Sequence, residues 1–408
     1  MNVKTAQPAR RPADRKAQIL AAATECFHRS GYHATGMEDI AAAVGITAGA
    51  LYRHFRGKQD LLSRVLLDGL DTLAAAMAEA GDLDAMTGAM VGFTLDHRSL
   101  PLLLERETRN LAEQDRAAVL SRQSAHAAVL AGAIRGHRPE LDETAGLLIA
   151  WCTLALLTSP SYHDVALPRP RYEELLRAQA SALYRTALLP GPERLTGPPR
   201  RTGPGIAPVS RREALLAAAI PLFKQRGFQQ VSMEEIGAAA GITGPSIYNH
   251  FAGKAEILDA ALHREAEVLH FVLARALTES RSAGGALRRV LRAYASLSGM
   301  RTSATPLLVG EIAFLPRERR ERMIRVRNGF INECVALLRA SRPDMAENQA
   351  AVAMRGALVL VNVTSRARFT LERAIPTQVL ADLAMETLAL DPAPDDGGTA
   401  RDDFPVSQ

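Results

Sequence analysis

The chain has 408 residues, of which 47% are hydrophobic and only 5% aromatic, so we expect two or more domains built mainly from helices. Three dispersed cysteines without a CxxC pair are interpreted as structural thiols in a reducing cytoplasm, and every apolar run is shorter than the roughly 18 residues that a membrane span requires. The net charge is +5, but residues 1–62 hold nine Lys and Arg against five Asp and Glu, and residues 200–258 hold seven against four. Two basic segments of this kind suit an anionic polymer as partner.

Apolar residues of the first half recur at helical spacing. Ile19, Ala23 and Phe27 predict a helix that stops near Gly31, and the residues before it lack the apolar region of a secretory signal. Further helices are predicted at Met37–Val44, Thr47–Phe55, Gly57–Glu79, Ala85–His97, Pro101–Asn110, Asp115–His137, Leu141–Ser159 and Arg171–Leu189.

Residues 190–208 are dense in Pro and Gly and predict a semi-extended linker. After the linker the same order of elements returns. Helices are predicted at Arg211–Arg226, Met233–Ala240, Thr243–Phe251, Lys254–Thr278, Ala286–Ser298, Thr305–Ile312, Arg317–Ala340, Asp344–Ser365 and Pro376–Leu390. No strand is predicted, and residues 391–408 are expected to be a disordered tail.

The return of the same elements reflects a repeated block of sequence. Arg15–Leu62 and Arg211–Leu258 are identical at 21 of 48 aligned positions, with a constant spacing of 196 residues. More distal positions align weakly at a spacing of 204, as Glu107 does with Glu311. An internal repeat fixes the architecture, so the chain is expected to hold one helical unit twice.

Two short helices joined by a tight turn indicate a helix-turn-helix in each copy. Gly45 and Gly241 are predicted to adopt the left-handed conformation that reverses the chain. Ser232 and Glu235 form the pattern of a capping box in the second copy, whereas Gly36 gives the first copy a weaker cap.

A recognition helix that enters the major groove presents its first exposed side chains to base edges. Arg53 suits a guanine through O6 and N7, and Asn249 suits an adenine through N6 and N7. The tyrosine, histidine and lysine of each copy suit phosphate contacts, which position a protein without reading sequence, whereas Phe55 is expected to be a core residue. The predicted DNA-binding residues are Thr47, Ala48, Gly49, Ala50, Tyr52, Arg53, His54 and Lys58, and in the second copy Thr243, Gly244, Pro245, Ser246, Tyr248, Asn249, His250 and Lys254, with the two threonines as helix N-caps. Basic residues before each first helix are expected to follow the DNA backbone: Arg10, Arg11, Arg15, Lys16, Arg200, Arg201, Arg211 and Arg212.

The pattern Gly-[Tyr/Phe], Met-Glu-[Asp/Glu]-Ile, Gly-Ile-Thr and [Leu/Ile]-Tyr-x-His-Phe-x-Gly-Lys occurs in both copies. It resembles the DNA-binding domain of the tetracycline-repressor (TetR) family. The resemblance covers about 50 residues of each copy and implies an all-α fold with a fourth, connecting helix and a helical effector and dimerisation domain. Family members pair as two chains, so two units in one chain imply a covalent pseudo-dimer, with a further homodimer left open.

The resemblance sets the expected domains and partners. The domains are 1–58 and 209–254 for DNA binding, 59–189 and 255–390 for effector binding and dimerisation, with the linker at 190–208 and the tail at 391–408. A double-stranded operator of imperfect palindromic symmetry and a small apolar effector are the expected partners, and no cofactor, metal or membrane is expected. Candidate effector-binding residues are His97, Arg109, His126, Trp151, Tyr294, Glu311 and Arg325. The expected interface between the halves uses Leu148, Trp151, Leu154 and Leu156 with Val352, Leu358, Val359 and Val361.

The predicted function is an effector-responsive repressor in the cytoplasm. The sequence contains no GxSxG, P-loop, HExxH or dinucleotide-binding pattern, so an enzyme is not expected. A DNA-bound scaffold or co-regulator without a small-molecule effector remains the alternative.

Overall fold

A computed structural model describes residues 12–187, 208–242, 244–300, 303–366 and 375–390 of the chain. In the first half of the sequence the helices are α1 (Pro12–Ser30), α2 (Met37–Val44), α3 (Ala48–Tyr52), α4 (Lys58–Ala78), α5 (Leu83–Asp96), α6 (Ser99–Glu107), α7 (Glu113–His137), α8 (Glu143–Leu157) and α9 (Arg169–Arg185), with 3₁₀ turns at Thr108–Asn110 and Ser159–Tyr162. None of the described residues lies in a strand, so the fold is all-α, as predicted.

The second half repeats this order of helices. Its elements are α10 (Arg211–Arg226), α11 (Met233–Ala239), α12 (Lys254–Glu279), α13 (Ala283–Gly299), α14 (Leu307–Gly310), α15 (Arg317–Ser341), α16 (Glu347–Arg366) and α17 (Thr377–Thr387), with 3₁₀ turns at Gly244–Ile247 and Ile312–Phe314. The described helices fall within a few residues of those predicted, except for the recognition helices. Pro221 lies inside α10, and the helix continues through it.

The chain divides into two compact units at a point before the predicted linker. The first unit holds Met1–Pro139 with Pro160–Tyr162, and the second holds Glu140–Ser159 with His163–Gln408. Helices α8 and α9 therefore belong to the same unit as the whole second half. The predicted linker lies almost wholly outside the described residues, as does the predicted tail, so both stay predictions.

The core of the first unit joins the helix-turn-helix to the connecting helix. Ile19 and Phe27 of α1, Ile40 of α2, Leu51 of α3 and Leu62 of α4 are fully buried in one cluster. Because α2 and α3 are too short to be stable alone, this shared apolar cluster is what holds them in place.

In the second unit, α8 and α9 pack along α16 and α17. The Gln179 side chain of α9 donates a hydrogen bond from Nε2 to the carbonyl oxygen of Ala353 at 3.1 Å. A side-chain carbon at Gly356 would come within 2.9 Å of Leu156, so a residue without a side chain lets α8 and α16 approach closely. Among the predicted interface residues, Leu148, Leu156, Val352, Leu358, Val359 and Val361 are buried, while Trp151 and Leu154 are partly buried.

No helix among the described residues combines the length and the apolar character that crossing a membrane would require.

Candidate nucleic-acid interface

The first recognition segment is a five-residue helix fixed by apolar residues. The Thr47 side chain accepts a hydrogen bond from the Ala50 N–H at 3.2 Å, which confirms the predicted N-cap. Leu51 and Phe55 are buried, at 0% and 3% exposure, and attach the segment to the core. The helix ends at Tyr52 rather than at Phe55, so the predicted length was wrong. Gly49, the second residue of the helix, lowers its helix propensity.

The outer face of this segment carries the residues predicted to meet DNA. Tyr52 is 54% exposed, and Arg53 and His54 are also exposed. Gly49 is exposed as well, whereas Ala48 and Ala50 are partly buried. The Arg53 side chain forms no hydrogen bond or ion pair within the described part of the chain, so its guanidinium is available to a ligand.

The second recognition segment has a different backbone. Residues Gly244–Ile247 form a 3₁₀ turn where an α-helix to Phe251 was predicted, so that prediction was wrong. Gly244 lowers the helix propensity of this segment, whereas a proline in the first turn, as at Pro245, is compatible with a helix. The predicted N-cap Thr243 lies outside the described residues, and only the backbone of Gly244 and Pro245 is described.

A close approach accompanies this change. The side chain that Ala41 has in the first copy could not fit at Gly237, because its carbon would lie 2.2 Å from Ile247 Cδ1 and 2.5 Å from the Ile242 carbonyl oxygen. Ile247 is buried and occupies the space beside Gly237. The second turn therefore packs more tightly on its preceding helix than an alanine there would allow.

The second segment also presents a polar face. Tyr248 is 52% exposed and Asn249 is exposed, while Ser246 and His250 are partly buried. The Ser246 hydroxyl accepts a hydrogen bond from Arg211 Nη1 at 3.3 Å. Asn249 lies 196 positions after Arg53 and, like it, makes no side-chain hydrogen bond within the described residues. The two copies thus present a cation and an amide at equivalent places.

The turns of both copies have the predicted geometry. Gly45 and Gly241 have φ of +70° and +67°, which confirms the left-handed reversal. Ser232 accepts from the Glu235 N–H at 3.2 Å, and the Glu235 carboxylate accepts from the Ser232 N–H at 2.8 Å, which confirms the capping box. In the first copy Asp39 accepts from the Gly36 N–H at 2.7 Å.

The two lysines predicted as phosphate contacts point at the protein backbone. Lys58 Nζ donates to the Tyr32 carbonyl oxygen at 2.8 Å and lies 4.5 Å from the centre of the Tyr32 ring. Lys254 Nζ donates to the carbonyl oxygens of Phe228, Gln229 and Val231, each at 2.9 Å. Burial lowers the pKa of Lys254, and the Glu235 carboxylate opposes this shift. Each lysine fixes the turn between the first two helices of its copy, and a phosphate contact stays a prediction.

A buried glutamate from a later helical segment reaches the same turn in each unit. Glu107, at the end of α6, accepts a hydrogen bond from the Tyr32 N–H at 3.3 Å. Glu311 accepts from the Phe228 N–H at 3.3 Å in the second unit. Burial raises the pKa of Glu107, while the bonds from Tyr32 and Asn110 oppose the shift. Each DNA-binding turn is therefore tied by both a lysine and a glutamate.

The basic residues before the first helices are only partly described. Arg10, Arg11, Arg200 and Arg201 lie outside the described residues. Arg212 lies over the Phe251 ring, with its guanidinium carbon 4.0 Å from the ring centre, and donates to the His250 carbonyl oxygen at 2.8 Å. Arg211 and Arg212 thus support the second recognition segment. Lys16 is exposed and Arg15 partly buried, so contact with the DNA backbone stays a prediction.

The candidate effector residues of the first half lie apart in different environments. His97 is exposed beside the Phe93 ring, with a centroid distance of 4.4 Å. Arg109 Nε donates to the Arg106 carbonyl oxygen at 2.6 Å. Burial lowers the pKa of His126, and its hydrogen bond to the Leu70 backbone opposes that shift. Trp151 lies on α8, partly buried.

In the second half the candidates also have separate roles. Glu311 holds the turn described above, and Arg325 is exposed on α15. Tyr294 is buried, its hydroxyl accepts a hydrogen bond from Asn362 Nδ2 at 2.5 Å, and its ring stacks on Phe330. Effector binding by these residues stays a prediction. Sequence reasoning missed the role of Glu107, although its alignment with Glu311 was a signal for it.

Two segments of the chain match one known protein family. The family model described as "Bacterial regulatory proteins, tetR family" matches residues 19–65 and again 215–261. An HTH-type transcriptional activator, FasR of Mycolicibacterium smegmatis, is 42% identical over 67 residues, which are 16% of this chain and 31% of the relative. An HTH-type transcriptional repressor, KstR2 of the same species, is 34% identical over 110 residues, 25% of this chain and 54% of the relative. The chain thus spans about a third to a half of the length of these curated relatives.

Solved structures show a similar partial match. A bacterial regulatory protein in the tetR family from Rhodococcus RHA1 is 25% identical, with a TM-score of 0.35, and the match covers 40% of this chain and 95% of that one. The two matches to the family model coincide with the two helix-turn-helix segments described above, each with its preceding helix and the start of its connecting helix. The chain therefore carries the helix-turn-helix domain of the tetR family of bacterial regulatory proteins twice.

Proposed function

We propose that this chain is a DNA-binding transcriptional regulator, acting in the cytoplasm as a repressor, that reads one operator with both of its recognition segments. The observation that carries the proposal is the pair Arg53 and Asn249. Both occupy the same position of the repeated block, both are exposed, and neither has a side-chain partner among the described residues. An arginine and an asparagine suit different bases, guanine and adenine.

This difference supports an operator with two unlike half-sites. In an ordinary dimer of identical chains, two-fold symmetry makes both half-sites the same. Here one half-site is read through Arg53 and the other through Asn249, so the operator is an imperfect palindrome.

The packing of α8 and α9 on α16 and α17 supports a covalent pseudo-dimer. These helices come from opposite halves of the sequence and share a buried apolar face. Covalent linkage keeps the second recognition segment at a high effective concentration once the first is bound. One chain then serves one operator, and a further homodimer in free solution is compatible with this arrangement.

Response to an effector is supported by the glutamate ties. Glu107 ends α6 in the first unit, and Glu311 follows the short helix α14 in the second, so each connects a ligand-domain segment to a DNA-binding turn. A ligand that moves α6 or α14 therefore changes the support of the turn next to the recognition segment. The effector of this proposal has a mostly apolar body.

A gel-shift titration against DNA from upstream of the chain's own gene tests DNA binding. We expect one specific band whose affinity falls steeply as salt rises, because several phosphates are neutralised. Unrelated DNA of equal length is the control, and equal retention of both DNAs would contradict the proposal.

Sedimentation of the protein–DNA complex tests the pseudo-dimer. One chain per operator is expected, whereas two chains on a perfectly symmetric site would contradict pairing of the halves on DNA. Release of the DNA by a small molecule separates the effector-responsive repressor from the scaffold alternative, which predicts no such release.

A further inference from the structure

Two arginines of the second unit lack an acidic partner. Arg327 lies on α15 and Arg355 on α16, and the Nε atom of each is shielded from solvent without a hydrogen-bond partner. Arg327 Nη1 donates one bond, to the Leu308 carbonyl oxygen at 3.3 Å. Within the part of the chain that the structure describes, no carboxylate pairs with either guanidinium. This is unusual, because arginines withdrawn from water are normally paired.

The two guanidinium groups also repel each other. Burial is the main cause that lowers the pKa of Arg355, and the charge of Arg327 lowers it further. Burial lowers the pKa of Arg327 as well. Two neighbouring cations that are partly desolvated and unpaired raise the free energy of the folded state, and an anion placed between them would relieve that cost.

The groups around the pair include aromatic rings, an amide and a buried carboxylate. Burial and, to a smaller extent, the Glu265 carboxylate raise the pKa of Tyr294, and Glu265 itself accepts hydrogen bonds from the Ser303 hydroxyl and the Ala304 N–H. Tyr294 lies close enough to Arg327 to affect its pKa, and Tyr172 of α9 does the same for Arg355. The Tyr294 ring stacks on Phe330 with a centroid distance of 6.3 Å. Asn362 is two helical turns after Arg355 on α16 and binds the Tyr294 hydroxyl. A molecule with an anionic end and an apolar body matches this combination of cations and aromatic side chains.

The first half has no counterpart of this pair. At the spacing of 204 residues that aligns Glu107 with Glu311, Gln123 corresponds to Arg327 and Trp151 to Arg355. The cationic pair therefore occurs once per chain, in the second unit.

We propose that Arg327 and Arg355 bind the oxyanion group, a carboxylate or a phosphate, of an amphipathic effector, with one molecule bound per chain. This rests on the proposed function, since it assumes that the regulator responds to an effector. Arginine suits this role because its planar fork of N–H donors pairs with two oxygens of one anion. Arg355 precedes Gly356, where α16 meets α8 and α9, so an anion bound there acts on the packing between helices from the two halves.

Calorimetric titration of the full chain with four probes tests the proposal: decanoate, decyl phosphate, 1-decanol and inorganic phosphate. We expect decanoate or decyl phosphate to bind at one molecule per chain, at least tenfold more tightly than 1-decanol. The stronger of the two identifies the anion, and inorganic phosphate, which has no apolar body, is expected to bind more weakly than either. Arg327→Gln and Arg355→Gln should each weaken binding at least tenfold, whereas Arg317→Gln, at an exposed arginine on the same helix as Arg327, should leave it unchanged.

Several results would overturn the proposal. These are binding of 1-decanol as tight as that of decanoate, unchanged affinity in Arg327→Gln, two molecules bound per chain, or no binding of any probe. The melting temperature of each variant without probe verifies that it folds. Gel shifts with the same preparations separate this proposal from the proposed function. If specific DNA binding persists while the probes do not bind, only the proposal of an anion site is wrong. If specific DNA binding is absent, the proposed function as a regulator is wrong.

Discussion

The two helix-turn-helix domains of this chain hold the turn after their first helix in two different ways. In the first unit the turn after α1 carries Tyr32, and polar contacts dominate: the Asn110 side chain contacts His33 at 3.1 Å and donates to Glu107 at 2.5 Å. In the second unit Phe228 stacks on Phe314, with ring centres 5.7 Å apart and planes inclined by 14°. Phe314 lies 204 positions after Asn110, so an aromatic stack replaces a hydrogen-bond network at the same place.

The comparison shows which features the fold needs and which it can exchange. A lysine from the connecting helix and a buried glutamate occur in both units. The remaining contacts differ because an apolar stack and a polar network can both fill the space, provided that the polar groups are paired. The second turn should therefore depend more on apolar burial and the first more on charge and hydrogen bonding.

The largest effect is expected from removing the aromatic stack. Phe228→Ala should lower the opening free energy of the second turn by about 3–5 kcal/mol, since it deletes a buried ring that also contacts Phe223. The matched change Tyr32→Ala should cost roughly 1–2 kcal/mol, because Tyr32 is only partly buried. Hydrogen exchange of the full chain, resolved by peptide, measures the opening free energy of each turn. Equal losses in the two variants would contradict the comparison.

The next effect concerns the close approach at Gly237. Gly237→Ala should destabilise the second domain by roughly 1–3 kcal/mol, because the new carbon meets the backbone oxygen of Ile242 as well as Ile247. The reverse exchange in the first domain, Ala41→Gly, should cost only about 0.5–1 kcal/mol through helix propensity. Hydrogen exchange measured at each domain distinguishes the destabilisation caused by the two substitutions. If Gly237→Ala left the stability of the second domain unchanged, the second segment would have room to move.

A change of comparable size is expected in DNA reading. Arg53→Ala should cost about 1–3 kcal/mol at one base pair and relax preference there, while Asn249→Ala does so on the other half-site. Arg53→Asn should make the two selected half-sites more alike. Selection of bound fragments from a random DNA pool gives the sequence preference of each variant. An unchanged preference in Arg53→Ala would show that Arg53 does not contact a base.

The smallest effect is a pH dependence at Glu107 of the first unit. The pKa of Glu107 is raised by burial, so its contribution to stability is present at acidic pH and is lost as pH rises through the folded-state pKa. Arg106 and Arg109 reduce the shift without abolishing it. Glu107→Gln should remove this dependence, so the stability of the variant relative to wild type should rise on going from pH 4.5 to 7.5.

Melting temperatures of wild type and Glu107→Gln at the two pH values check this prediction. The Gln side chain can still accept from the Tyr32 N–H but cannot also accept from Asn110, so some constant loss is expected at both pH values. A difference between the proteins that grows toward acidic pH in favour of Glu107→Gln would have the wrong sign.

Most of the fold could be predicted from the sequence, because its signals are local. Helical spacing, glycines at reversals and the capping pattern at Ser232 and Glu235 depend on neighbouring residues, and the described helices follow them closely. The exposed faces of the recognition segments were predictable for the same reason. Leu51 and Phe55 are four residues apart, so they lie on one face of a helical turn and are buried, whereas Tyr52 and Arg53 between them lie on the exposed face.

What the tertiary structure decided concerns contacts between residues far apart in the chain. The sequence suggests that Lys58 and Lys254 face DNA, yet both ammonium groups bind a turn about 25 residues earlier. The buried glutamates, the stack of Phe228 on Phe314 and the pair Arg327 and Arg355 depend on how separate helices meet. A pattern along one helix does not encode those meetings, because they depend on the packing of side chains from several helices at once.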